Sequence, residues 1–165
     1  LPISAITDAD GISASDLPRQ FAPTGTEIHY GQLNLQNAYG PETLPLTLTL
    51  SAEHYNGSSF VTNTLDSCTP YDVVNLGLSN FQANLASGNT VASGSGTLAA
   101  GIGTGMSLSA PGVGNDGSVD LDFDLSQTTG ADMEWLRPSG VDPTGKATFG
   151  IYKGNERLIY IRESF

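Results

Sequence analysis

Residues 45–55 read PLTLTLSAEHY, so that Leu46, Leu48, Leu50 and Ala52 alternate without a fault with Thr47, Thr49, Ser51 and Glu53. Successive side chains of an extended strand point to opposite faces. This run therefore makes one apolar and one polar face as a strand, and makes neither as a helix. Residues 118–125 repeat the pattern. Val119, Leu121, Phe123 and Leu125 are expected inward, and Asp120, Asp122 and Asp124 outward. Two such runs point to antiparallel sheets that each bury one face.

The rest of the chain is punctuated by turn residues about every eight to twelve positions, the spacing of a β-sandwich rather than of βαβ units. The expected fold is all-β: an antiparallel β-sandwich of immunoglobulin-like or jelly-roll type over residues 26–165, ending in a C-terminal β-hairpin. Residues 1–25, broken by Pro2, Pro18 and Pro23, read as a linker or edge segment from a larger protein. Ile28, Tyr30, Leu33 and Leu35 suit a strand, with Gly31 marking a bulge or kink. Residues 37–41 read as a turn. Asn56-Gly57 signals a hairpin into residues 60–63, and Asn115-Asp116-Gly117 signals another. Further strands are expected within residues 73–83, 90–98 and 106–110. The final hairpin folds about Gly154-Asn155, which sets Lys153 opposite Glu156, Ile151 opposite Leu158, Phe149 opposite Tyr160 and Lys146 opposite Glu163.

Six basic residues stand against 17 acidic ones, a net charge of −11. Such a chain repels phosphate backbones and anionic headgroups, so neither nucleic acid nor a membrane surface is an expected partner. No run of 18 apolar residues is present that would insert as a helix. The single cysteine, Cys68, has no partner for an intrachain bridge. In a secreted protein it would pair with a thiol of another domain.

Asp8-Ala9-Asp10-Gly11, with Asp16 beyond it, has the carboxylate spacing and the glycine of a calcium loop, but lacks the third Asp or Asn and the trailing Glu of an EF-hand. Asp8, Asp10 and Asp16 are thus the candidate Ca²⁺ ligands, and no other cofactor is expected. Asp120, Asp122 and Asp124 lie about 6.5–7 Å apart along a strand, a spacing that suits a solvated face better than a shared ion. Glu42, Glu53, Asp72, Glu134 and Asp142 show no spacing diagnostic of a glycosidase pair. His29 and His54 have no G-x-S-x-G nearby, and Cys68 matches no protease signature. No catalytic residue is assigned, and the chain is read as non-enzymatic. Tyr39 beside Asn37, and Tyr55 beside Asn56, are the candidate ligand-binding residues. An aromatic ring next to a turn can stack on a pyranose while neighbouring amides hold its hydroxyls.

Three clusters carry a family likeness. The first is Tyr30-Gly31-Gln32-Leu33 with Gln36-Asn37-Ala38-Tyr39-Gly40. The second is Glu53-His54-Tyr55-Asn56-Gly57 with Phe60-Val61-Thr62-Asn63 and Asp66-Ser67-Cys68-Thr69. The third is Trp135-Leu136 with Ala147-Thr148-Phe149-Gly150-Ile151-Tyr152-Lys153-Gly154-Asn155 and Ile159-Tyr160-Ile161-Arg162-Glu163. Over residues 27–165 the sequence resembles the C-terminal region of MshQ-type proteins, which are associated with the mannose-sensitive haemagglutinin type IV pilus of Gram-negative bacteria. The resemblance implies a secreted, cell-surface domain with a structural or adhesive role. Its partners would be the pilus, upstream domains of the same protein, or a glycan or protein receptor. A carbohydrate-binding module is the alternative. Many relatives carry an acidic Asp/Gly-rich insertion after the Trp-Leu pair. Here residues 137–146 are short and hold Asp142 as their sole acid, so calcium bound there by relatives would not be bound here.

Overall fold

The computed structural model describes residues 2–3, 19–20, 30–126, 133–137 and 140–150. The strands, in chain order, are β1 (Pro2–Ile3), β2 (Arg19–Gln20), β3 (Gly31–Leu35), β4 (Ala38–Gly40), β5 (Leu46–Tyr55), β6 (Phe60–Thr62), β7 (Pro70–Asp72), β8 (Leu76–Ala83), β9 (Ala92–Thr97), β10 (Ile102–Leu108), β11 (Gly117–Phe123) and β12 (Thr144–Phe149). Between them, 3-10 turns form at Val73–Asn75 and Glu134–Leu136. One sheet runs β3-β5-β10-β9-β7, with β6 also on β5; a second runs β4-β12-β11-β8; β1 and β2 pair with each other. Among the described residues every ladder is antiparallel except β4–β12, which is parallel.

Only Gln36 and Asn37 separate β3 from β4, yet the two strands belong to different sheets. The chain changes sheet at this point. Gln36 N donates to Thr49 O at 3.0 Å on the first sheet, and Asn37 Oδ1 accepts from Lys146 N at 2.8 Å on the second. If β3 and β4 are counted as one split strand, and the short β6 and β7 are left aside, the first, second, fifth and fourth strands form one sheet. The third, sixth and seventh form the other. That is the strand order of an immunoglobulin-type sandwich, one of the two topologies the sequence leaves open.

The two alternating runs behave as their period demands. Leu46, Leu48, Leu50 and Ala52 are buried, as are Val119, Leu121, Phe123 and Leu125. With Leu33, Leu35, Met106, Leu108, Ala147 and Phe149 they belong to one core that draws on both sheets. Full burial of a Leu or Phe side chain contributes about 1.5–3 kcal/mol.

Several local expectations are corrected. The β3–β5 register runs unbroken from Gly31 opposite His54 to Leu35 opposite Leu50, so Gly31 is no bulge. One register shift lies instead between Gly103 and Met106 of β10, and another in β8 opposite Ser118 and Asp120. At the second, Asn80 takes a φ of 49°, a left-handed conformation that Asn tolerates better than most residues. Residues 38–40 form a strand and not a turn, because their partner β12 supplies a ladder. Val74 lies in a 3-10 turn and is exposed. Asn115-Asp116-Gly117 closes no hairpin, since β10 and β11 lie in different sheets. The Gly154-Asn155 turn and the residues after Gly150 lie outside the described residues. Within them, β11 and β4 flank residues 147–149 on the two sides. Lys146 stands opposite Asp120.

The glycine-rich stretch has a packing cause. Tyr71 of β7 is buried and stands opposite Gly96. A Cβ on Gly96 would come within 2.6 Å of its hydroxyl, one on Gly103 within 2.5 Å of its ring, and one on Gly105 within 2.8 Å of its hydroxyl. The hydroxyl also accepts a hydrogen bond from Gly105 N at 2.8 Å. An aromatic side chain thus fills the space that three missing side chains leave. Gly103→Ala is expected to lower stability in urea unfolding by about 1–3 kcal/mol, the usual cost of overpacking. Gly77→Ala, where a Cβ would meet nothing closer than 3.6 Å, should stay near wild type.

Candidate functional site

The four residues singled out as ligand-binding do not converge. Tyr39 is 70% exposed and lies on the outer face of β4, in register with Thr148, Ser118 and Gln82. Asn37 next to it is engaged with Lys146 N. Gly40, which follows Tyr39, lies against Leu46 at the start of β5. Tyr55 ends that strand, about 30 Å away at roughly 3.3 Å per residue. Asn56 builds the turn after it: its Oδ1 accepts from Ser58 N, Ser58 Oγ and Ser59 N, each at 3.0 Å. Asp8, Asp10 and Asp16 lie outside the described residues. Among the described residues no group of three or more His, Cys, Asp or Glu side chains is placed to hold a metal.

Around Tyr55 the outer face of the larger sheet carries two parallel rows. Tyr55 N donates to Tyr30 O at 2.8 Å and Tyr55 pairs with Phe60, so three aromatic residues line up, from just before β3, at the end of β5 and at the start of β6. The Phe60 ring centroid lies 5.9 Å from that of Tyr30 and 5.6 Å from that of Tyr55, in tilted arrangements that aromatic quadrupoles favour. Tyr30 is 57% exposed and Tyr55 42%. The next row sets Gln32 opposite Glu53 and Glu53 opposite Thr62. Gln32 Nε2 donates to Glu53 Oε2 at 2.7 Å, while Asn34 Nδ2 and Ser51 Oγ donate to Oε1 at 3.1 and 3.3 Å. The salt bridges of Arg137 with Asp142 and of Lys146 with Asp120 lie elsewhere. Glu53 is therefore a half-buried carboxylate fixed by neutral donors beside an aromatic strip. Sequence reasoning named Tyr30, Tyr55 and Glu53 separately and missed Gln32, Asn34 and Phe60. The signal was available: 30, 32 and 34, and 51, 53 and 55, are the polar-face positions of two strands whose other faces carry Leu.

The outer face of the smaller sheet forms an open depression of about 720 Å³ lined by Asn37, Ser79, Asp120, Asp122, Thr144 and Lys146 among others. Its charges are largely matched. Asp120 receives Lys146 Nζ at 2.5 Å and Asn80 Nδ2 at 2.6 Å, which hold its carboxyl below the ordinary range. Asp122 is pushed up by burial and by the charges of Asp142 and Asp124. Asp142 is itself held by Arg137 at 2.9 Å and accepts from Leu125 N. This is the solvated acidic face that the spacing of the three aspartates suggests.

Cys68 is exposed on the loop before β7, within reach of a thiol from outside the domain. Asp66 organises that loop. Burial raises its pKa, but hydrogen bonds from Thr69 Oγ1 (2.6 Å), Thr69 N, Cys68 N and the Cys68 thiol outweigh this and leave it below the ordinary 3.8. A lowered folded-state value stabilises the fold above the unfolded value, and that gain is lost as pH falls through the folded one. Asp66→Ala should cost about 1–3 kcal/mol at neutral pH. In denaturant titrations across pH, the gap to wild type should close as the solution is acidified below 3.8.

No curated protein and no solved structure matches the chain significantly. A family model described as DUF6701, fourth domain, matches residues 29–164, which takes in every sandwich strand and both rows of the face around Tyr55. On that match the chain belongs to the DUF6701 fourth-domain family.

Proposed function

We propose that this domain is a non-catalytic structural or adhesive module of a secreted, cell-surface protein associated with type IV pili. The observation that carries the reading is the Tyr30–Tyr55–Phe60 strip on one face of the larger sheet, with both tyrosines exposed and Phe60 half-buried against them. Aromatic side chains on a rigid scaffold give contact area at small entropic cost, which is what an adhesive surface needs. Three of the five carboxylates considered for a hydrolase pair are engaged in local bonds. Asp72 caps the turn at Val74, Asp142 binds Arg137, and Glu53 is held by Gln32, Asn34 and Ser51. A family designated as a fourth domain suits one module of a longer chain. The pilus association is supported by the likeness of the three sequence clusters to MshQ-type proteins.

Glycan binding is the second reading, and the same strip favours it because hydrogen-bonding side chains lie beside the rings. Surface placement is tested by brief trypsin treatment of intact cells that make the parent protein. Peptides of this domain are expected in the released fraction, whereas their recovery only after lysis would contradict the reading. Adhesion is tested with beads coated with the 165-residue chain. They should bind cell surfaces above the level of albumin-coated beads, and equal binding would remove the adhesive role.

A further inference from the structure

We infer that the outer face of β3, β5 and β6 is a saccharide-binding site, with the exposed rings of Tyr30 and Tyr55 as stacking surface, braced by Phe60, and the Gln32–Glu53 pair as the hydroxyl reader. The inference rests on the adhesive reading above and gives it a ligand class, a pyranoside with vicinal hydroxyls. It moves the site away from the turns. Tyr39 and Asn37 have no part in it, and Asn56 serves only to shape the β5–β6 connection through its bonds to Ser58 and Ser59.

The geometry suits a sugar in two ways. Residues two apart on one strand face lie about 6.5–7 Å from each other, so the aromatic and polar rows are separated by little more than the width of a pyranose. A ring laid on Tyr55 would turn its edge, and the hydroxyls on it, toward Glu53. The second feature is the pairing itself. Gln32 Nε2 sits 2.7 Å from Glu53 Oε2, which sets an amide donor beside a carboxylate acceptor. One hydroxyl of a vicinal diol can donate to the carboxylate while its neighbour accepts the second amide hydrogen, as the donor and acceptor counts of the two groups permit. Asn34 and Ser51 occupy Oε1 and hold the carboxylate plane, so little side-chain freedom is lost when the diol binds.

A cationic side chain could also be drawn to a carboxylate beside aromatic rings. The three neutral donors already on Glu53 take three of the roughly four acceptor positions of its carboxylate, which leaves room for one hydroxyl and none for a bidentate guanidinium.

The test is affinity electrophoresis of the full chain in native gels containing xylan, galactomannan, β-glucan or dextran, with melting curves to confirm that each variant is folded. Wild type should be retarded by at least one polysaccharide. Tyr55→Ala and Glu53→Gln should each weaken that retardation at least tenfold, and Tyr39→Ala should leave it unchanged. Retardation lost in Tyr39→Ala but kept in Tyr55→Ala overturns the site. So does the absence of retardation in all four gels. Binding of an oligo-arginine peptide that depends on Tyr55 and Glu53, with no polysaccharide effect, overturns the ligand class. Bead adhesion separates this inference from the reading beneath it. Adhesion that survives Tyr55→Ala and Glu53→Gln, together with no polysaccharide retardation of wild type, removes the site and leaves the adhesive role. Polysaccharide retardation without bead adhesion keeps the site and removes that role.

Discussion

Burial of Leu46, Leu48 and Leu50 in one core with Val119, Leu121 and Phe123 decides which side of each sheet meets water. Because the strand period is two, a slip of one residue in β5 would drive Thr47, Thr49 and Ser51 inward and strand the leucines outside. Each leucine so exposed forfeits about 1.5–3 kcal/mol, a large part of the net stability of a domain this size. The outward placement of Glu53 and Tyr55 is the other consequence of the same register. The candidate site is therefore held by core packing on the opposite side of the strand, and not by loops.

A second constraint joins the sheets. The change of sheet between β3 and β4 lets one short segment pair with β5 and then, in parallel, with β12. At residues 147–149 this leaves β12 flanked on both sides, which protects a strand that would otherwise be an open edge. Elsewhere the fold handles exposure by shape. β8 is an edge strand, and its irregularity at Asn80 interrupts the regular ladder there, as edge strands commonly require. In β9 and β10 the glycines admit Tyr71, so a stretch poor in side chains still gains a specific packing partner.

What could be read from the chain follows from the range of each interaction. β5 and β11 were legible because alternation is written in adjacent residues. β4 was not: its three residues end on Gly40, before Pro41, and read as a turn, and the Asn37–Lys146 contact that helps to anchor them spans 109 positions. The glycine-rich strands gave no register, because the ring that sets it is 34 positions away from the amide it binds. The same holds for the site. Tyr55 and Glu53 stood out as residue types, but Gln32 and Asn34 acquire meaning only once β3 is laid against β5. Tyr39, which its neighbours suggested as a turn residue, is instead an outward strand residue of the other sheet.

The most direct test of the central claim is a methyl-resolved nuclear Overhauser spectrum of the chain in solution. Cross-peaks should connect the methyl groups of Leu48 and Leu50 to other core side chains, among them Val119, Leu121 and Phe123, while the methyl groups of Thr47 and Thr49 show none to those residues. Cross-peaks to β11 from Thr47 and Thr49 in place of the leucines would mean that β5 presents its other face to the core, and would contradict the placement of every outward residue on it.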